Sequence, residues 1–165
     1  MFFDLFSIEV FIIFLLSIVL ATATTLFSFI YKNSIDHQIN LLSNASIEIT
    51  PEEFMNMRKI SFGGKGVPSY MSQHSFTGVY ILYNKSKNMY YVGQGKNIFS
   101  RVNAHFTGRG NGDVYADYKY GDDFTIRMFA LENSGFSSLN ELERYFIYRY
   151  NAFSNGYNKT RGNRN

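Results

Sequence analysis

The stretch TGVYILYNKSKNMYYVGQGKNIFSRVNAHF (residues 77–106) predicts a β-hairpin followed by a helix. Two runs rich in Val, Ile and Tyr flank the turn-type cluster NKSKN, which is the usual pattern of a hairpin. With a loop over the last four residues of that cluster, Tyr80 pairs with Gly93. Side chains alternate between the two faces of a strand, so Tyr80, Tyr91 and Gly93 share one face. Because Gly93 has no side chain, we expect open space beside Tyr80, like the floor of a pocket.

The helix after the hairpin carries two polar side chains at the edge of its apolar stripe. Asn97 is suited to cap this helix, which is expected to run to about Phe106. Arg101 and His105 are four residues apart and therefore lie on the same side of the helix. We expect both to project where the helix meets the sheet.

A second helix near the C-terminus carries a carboxylate in an apolar position. The sequence SLNE, starting at Ser138, is a capping box and predicts a helix to Tyr150. On a helical wheel Glu143 falls inside the apolar stripe. A buried carboxylate without a partner is costly, so Glu143 needs a cation, an arginine or a metal ion. The strands predicted for this part of the chain cover residues 78–83, 89–93 and 124–131.

These motifs closely resemble those of the GIY-YIG nuclease family, over Phe76–Lys159. GVY at 78–80 resembles the first signature triplet and YVG at 91–93 the second, with Val in place of Ile in both. The helices described above resemble the family's Arg-His helix and its metal-binding helix, and the closing GYN resembles the element that supplies an Asn. The resemblance implies these catalytic residues: Tyr80, Tyr91, Arg101, His105, Glu143 and Asn158.

The resemblance also implies a fold and a chemistry. The fold expected is a small α/β (α+β) sandwich with a central three-stranded antiparallel sheet flanked by helices. The activity expected is hydrolysis of DNA phosphodiester bonds with one divalent ion, Mg²⁺ or Mn²⁺, bound by Glu143, and with no small-molecule cofactor. Magnesium keeps several waters and needs few protein ligands, so one carboxylate is sufficient.

The resemblance assigns roles to some of these residues and leaves others open. Arg101 would bind the scissile phosphate. Lys96, just after the second triplet, would bind an adjacent phosphate, and Gly93 is the third expected substrate-binding residue. Tyr80 is the family-type general base, whereas Tyr91 and His105 would orient water and Tyr80 or relay protons. Taken singly, each residue also has a purely structural explanation, such as an internal pair between Glu143 and Arg101. The ordered set favours the nuclease.

A long apolar segment precedes this domain. The 22 residues between Glu9 and Lys32 carry no formal charge, enough for a helix to span a bilayer. A signal peptide is the competing interpretation, but such a peptide begins with basic residues, and residues 1–9 contain only acidic charges. We expect a single-pass membrane protein anchored through residues 10–31. The expected domains are a transmembrane helix (1–31), a linker with a short helix starting at Thr50 (32–75) and the nuclease domain (76–165).

Charge is unevenly distributed along the chain. Residues 1–53 hold six acids and one lysine, whereas residues 54–165 hold fifteen basic and seven acidic residues. A basic C-terminal domain suits a polyanion such as nucleic acid or anionic lipid headgroups. The acidic N-terminal flank and Lys32 favour a cytoplasmic C-terminal domain. The absence of cysteine excludes disulfides and thiolate metal sites.

Together these features predict a membrane-anchored, divalent-metal-dependent DNA endonuclease that acts on incoming or foreign DNA. Two alternatives stay open at this point. One is an exported toxin or mobile-element (homing-type) nuclease, whose apolar segment serves export. The other is a module that binds nucleic acid without cutting it.

Overall fold

The computed structural model describes residues 2–44, 47–63 and 65–163. Met1 of the predicted anchor and the last two residues of the basic tail lie outside the described residues. The chain divides into two compact units, Met1–Gln38 and Ile39–Asn165. The elements in chain order are α1 (Phe2–Ser43), α2 (Pro51–Lys59), α3 (Tyr70–Gln73), β1 (Gly78–Asn84), β2 (Met89–Gly95), α4 (Ile98–Phe106), α5 (Gly112–Lys119), β3 (Phe124–Ala130) and α6 (Leu139–Arg149).

Helix α1 exposes apolar side chains from Ile8 to Tyr31. Its apolar part has a mean hydropathy of 2.6 and is, by length and composition, able to cross a membrane. A signal sequence meets the same criteria of length and composition. The hydroxyls of Ser17, Thr22 and Thr25 donate to main-chain carbonyls three residues earlier at 2.7–2.9 Å. These polar groups are therefore satisfied within the helix, as an apolar environment requires.

The sheet has the order β2-β1-β3, and both strand pairs are antiparallel. Tyr80 pairs with Gly93 and Asn84 with Met89, which is the predicted register. The prediction of a three-stranded antiparallel sheet flanked by helices is confirmed. Strand β2 is an edge strand, so side chains from both faces of the sheet can contact each other along its free edge.

The two faces of the sheet are covered by different helices. Helix α4 packs on the face that carries Tyr80, and His105 touches that tyrosine directly. On the other face Val79, Ile81 and Val92 form an apolar cluster with α6. At the start of α6 the Ser138 hydroxyl accepts from the Glu141 amide. The Glu141 carboxylate accepts from the amide of Ser137 and not from that of Ser138, so the predicted capping box forms only in part.

Part of the segment before β1 packs into the same unit as the sheet. Helix α2 begins with the predicted capping box of Thr50 and Glu53. Phe54 on this helix is completely buried, and its ring centroid lies 6.4 Å from that of Phe99 on α4. Ile49 exchanges two main-chain hydrogen bonds with Ile126 of β3, at 3.1 and 2.8 Å, and so covers the outer edge of that strand. The short helix α3 was not predicted.

Candidate active site

Tyr80 is completely buried and lies opposite Gly93 on the neighbouring strand. A Cβ atom at Gly93 would lie 2.3 Å from the Tyr80 hydroxyl oxygen. The space beside Tyr80 is therefore filled by its own hydroxyl group, in contrast to the open pocket floor expected from the sequence. Glycine is required at position 93 because the phenol occupies the volume of a side chain.

His105 bridges the Tyr80 hydroxyl and a main-chain amide. Its Nε2 lies 2.8 Å from the Tyr80 oxygen, and its Nδ1 accepts from the Asn111 N–H at 2.9 Å. A nitrogen that accepts a hydrogen bond carries no proton, so the neutral ring is protonated on Nε2 and donates to Tyr80. Burial and the Arg101 charge lower the pKa of His105 to about 4, so the ring is neutral near pH 7.

The loop that supplies this amide is held in place by its own contacts. A Cβ atom at Gly110 would lie 2.6 Å from the His105 Nδ1, so glycine allows the loop to approach the ring. The Asn111 side chain caps α5 by accepting from the amides of Asp113 and Val114 at 3.0 and 3.1 Å. The sequence analysis did not include these two loop residues, because a main-chain donor leaves no side-chain signature.

Tyr91 is the tyrosine of the site that reaches solvent. It is partly exposed, and its ring centroid lies 4.6 Å from that of His105. Burial raises the pKa of Tyr91, whereas the neighbouring Tyr80 hydroxyl and the Arg101 charge lower it. The pKa of Tyr80 is raised well above its usual range by burial and by its neighbour Tyr91. Hydrogen bonds are thus donated from the Asn111 amide to His105 and from His105 to Tyr80, whose ring centroid lies 6.1 Å from that of Tyr91.

Arg101 supplies the positive charge of the site. Its side chain is exposed, and its stem lies over Gly95, where a Cβ atom would come within 2.6 Å of the Arg101 Cγ. The guanidinium is close enough to shift the ionisation of its neighbours. Its charge lowers the pKa of four groups, namely Tyr80, Tyr91, His105 and Glu143.

Glu143 is buried, with 8% of its surface exposed, as the helical wheel predicted. Gln94 donates to its Oε2 at 3.0 Å and also to the Asn140 Oδ1 at 2.8 Å. Burial raises the pKa of Glu143, and bonds from Gln94 and from the main chain of Asn163 oppose this shift. In the described part of the chain Glu143 and Arg101 do not form the ion pair that the sequence left open. Gln94 directly follows the second signature triplet, and it was not among the predicted site residues because its contact with Glu143 joins distant parts of the chain.

The donor set at Glu143 suits a hard divalent cation. Across the described residues there is no cluster of three or more His, Cys, Asp or Glu side chains. Magnesium binds through one or two carboxylates and keeps several waters, so a single glutamate fits it, whereas zinc usually needs three or four protein ligands. Glu143 is thus the residue that would hold such an ion.

Asn158 and Lys96 are the remaining residues of the predicted site. The Asn158 amide accepts from the Val92 N–H and donates to the Val92 carbonyl, both at 2.8 Å. Both of its polar atoms thus pair with the free edge of β2, which gives Asn158 a positioning role. Lys96 is exposed immediately after β2.

Comparison with protein families identifies the domain. The family model of the GIY-YIG catalytic domain matches residues 76–158, half of the chain. The chain belongs to the GIY-YIG family. This match confirms the predicted family and the predicted endonuclease class.

Two solved structures resemble this GIY-YIG protein, whereas no curated protein matches it. A point mutant of the catalytic domain of intron endonuclease I-TevI has a TM-score of 0.41 and 23% identity, covering 54% of this chain and 98% of its own. The catalytic domain of homing endonuclease I-TevI has a TM-score of 0.39 and 24% identity, covering 51% of this chain and 98% of its own.

Proposed function

We propose that this protein is a membrane-anchored DNA endonuclease that uses one divalent ion, Mg²⁺ or Mn²⁺, bound by Glu143. The observation that carries this proposal is the convergence of two tyrosines, a histidine and a buried glutamate around the Arg101 guanidinium. Phosphodiester hydrolysis needs a positive charge at the phosphate, an acceptor for the proton of water and a metal ligand. These groups meet all three needs.

We assign a separate part of the chemistry to each of these residues. Arg101 is exposed, and its planar guanidinium suits two oxygens of the scissile phosphate. Tyr91 in its ionised, phenolate form contacts the attacking water and accepts its proton, since a general base must reach the proton that it takes. The Arg101 charge favours that ionised form. Completely buried Tyr80 does not reach that water, so it acts by positioning the neighbouring Tyr91, whose ring centroid lies 6.1 Å from its own. A divalent ion, when bound, neutralises charge that develops on the phosphate.

A plasmid-nicking assay with the full chain in neutral detergent tests this function. With Mg²⁺ or Mn²⁺ the wild type should convert supercoiled plasmid to open circles. Glu143→Ala should remove this activity while the circular dichroism spectrum is retained. Glu141→Ala is the matched control, because Glu141 lies on the same helix and bonds only a local amide. A wild type that binds plasmid without nicking it would instead support the non-cleaving module.

Anchoring and the role against incoming DNA rest on α1 and on the charge distribution. A nuclease held at the cytoplasmic face of the inner membrane would meet DNA as it enters the cell. Phage plating and DNA uptake should be compared for the full chain and for a chain without residues 1–31. Equal protection by the two chains would contradict the tethering role, and a processed N-terminus found outside the cell would favour export.

A further inference from the structure

A cleft of about 270 Å³ lies along the C-terminal half of α6. We call it the α6 cleft. Its floor and walls come from α6, from the turn after it and from Arg161 near the end of the described chain. Among the described residues, no carboxylate lines it. The side chains that matter here are Arg144, Tyr148, Phe153 and Arg161.

The α6 cleft adjoins the glutamate of the active site. Arg144, which lines the cleft, directly follows Glu143 in the helix. Asn163 lies beside both residues, because its main chain lowers the pKa of Glu143 and its carbonyl accepts from the Arg144 Nη1 at 2.6 Å. The cleft therefore begins one residue along α6 from the glutamate of the active site.

The chemistry of the cleft suits a nucleotide. Tyr148 is 85% exposed, far more than is usual for a large aromatic side chain, and Phe153 is 38% exposed. The Arg161 guanidinium lies 5.4 Å from the centre of the Phe153 ring. Exposed aromatic rings beside basic groups are the means by which proteins hold single strands, since bases stack on the rings and phosphates bind the cations.

We propose that the α6 cleft binds one unpaired nucleotide of a DNA strand next to the scissile phosphate. This inference rests on the proposed endonuclease function and narrows its substrate to DNA with a single-stranded portion. In a duplex both faces of each base are stacked on neighbouring bases and are not available to Tyr148. A free strand, a flap or a branch offers such a base.

The first test compares two equally exposed tyrosines. Binding of fluorescein-labelled oligothymidylate, and of a duplex of equal length, is measured with the full chain in neutral detergent and EDTA. Tyr148→Ala should weaken single-strand binding about fivefold or more, the usual effect of losing one stacked base. Tyr120→Ala, at 88% exposed and outside the cleft, should change it little. Duplex affinity should be the same in both variants.

The second test separates stacking from charge. Arg161→Gln should reduce the slope of log affinity against log salt by about 0.7, as expected for one phosphate contact to a single strand. Tyr148→Ala should lower affinity and keep the slope. Equal losses of single-strand affinity in Tyr148→Ala and Tyr120→Ala would overturn the inference. So would a Tyr148→Ala variant that loses affinity equally for duplex and for single-stranded DNA. A wild type that nicks plasmid, or cuts the labelled oligothymidylate with Mg²⁺ or Mn²⁺, beside such a result leaves the proposed function intact. A wild type that cuts neither refutes that function whatever the binding result.

Discussion

Replacement of Asn111 by proline should remove a single main-chain donor from the active site. The φ angle of Asn111 is −71°, which proline adopts readily, and its carbonyl still accepts from the Tyr115 amide. The bond lost is the one from the Asn111 N–H to the His105 Nδ1. The side-chain cap of α5 is lost as well, so Asn111→Ala, which keeps the N–H, is the matched control.

The size of the effect follows from the burial of the imidazole. His105 is 2% exposed, so water cannot replace the missing donor. An unsatisfied buried acceptor costs about 1–3 kcal/mol, and one pKa unit corresponds to about 1.4 kcal/mol. The pKa of His105 should therefore rise from about 4 by about one unit or more. Once the ring is free to carry its proton on Nδ1, Nε2 accepts a hydrogen bond from the Tyr80 hydroxyl instead of donating one to it.

Two measurements check this reasoning. Nitrogen-15 spectra of labelled histidine should show an unprotonated Nδ1 in the wild type and in Asn111→Ala, and a mixture of forms in Asn111→Pro. The nicking rate of Asn111→Pro near pH 7 should fall about five- to tenfold below that of Asn111→Ala, the equivalent of about 1 kcal/mol. Identical spectra and rates for the two variants would show that the amide does not set the tautomer.

Three further predictions concern packing and pH. In a urea titration Gly93→Ala should destabilise the fold by about 1–3 kcal/mol, and it should also lower the nicking rate, because its Cβ would clash with the Tyr80 hydroxyl. Gly112→Ala is the control, because no atom lies near its Cβ, and it should be well tolerated in the same titration. Phe54→Ala should cost about 3–5 kcal/mol in that titration, and a loss under 1 kcal/mol would show that α2 is not part of the core. The contribution of His105 to folding stability should be fully present above about pH 6.5 and should be lost, by up to about 3 kcal/mol, as the pH falls through 4. The reason is that His105 binds its proton more readily in the unfolded chain. If His105→Gln shows the same loss of stability, other groups cause that loss.

The sequence by itself determined the local elements and most of the candidate site. The turn cluster after β1 predicted the hairpin register that pairs Tyr80 with Gly93, and Asn97 predicted the start of α4. The position of Glu143 in an apolar stripe predicted its burial. These features depend on alternation, helical spacing and capping, which involve residues a few positions apart and are therefore visible in a linear pattern.

Only the tertiary structure decided which groups surround these residues. Gln94 meets Glu143 across 49 positions, Asn158 pairs with Val92 across 66, and Phe54 joins the core from the segment expected to be a linker. The Asn111 amide sets the protonated nitrogen of His105, although its side chain has no part in that contact. Main-chain donors and contacts between distant segments have no periodic signature. The hydrogen bonds from Asn111 to His105 and from His105 to Tyr80 therefore form only when the sheet, α4 and the loop before α5 pack together.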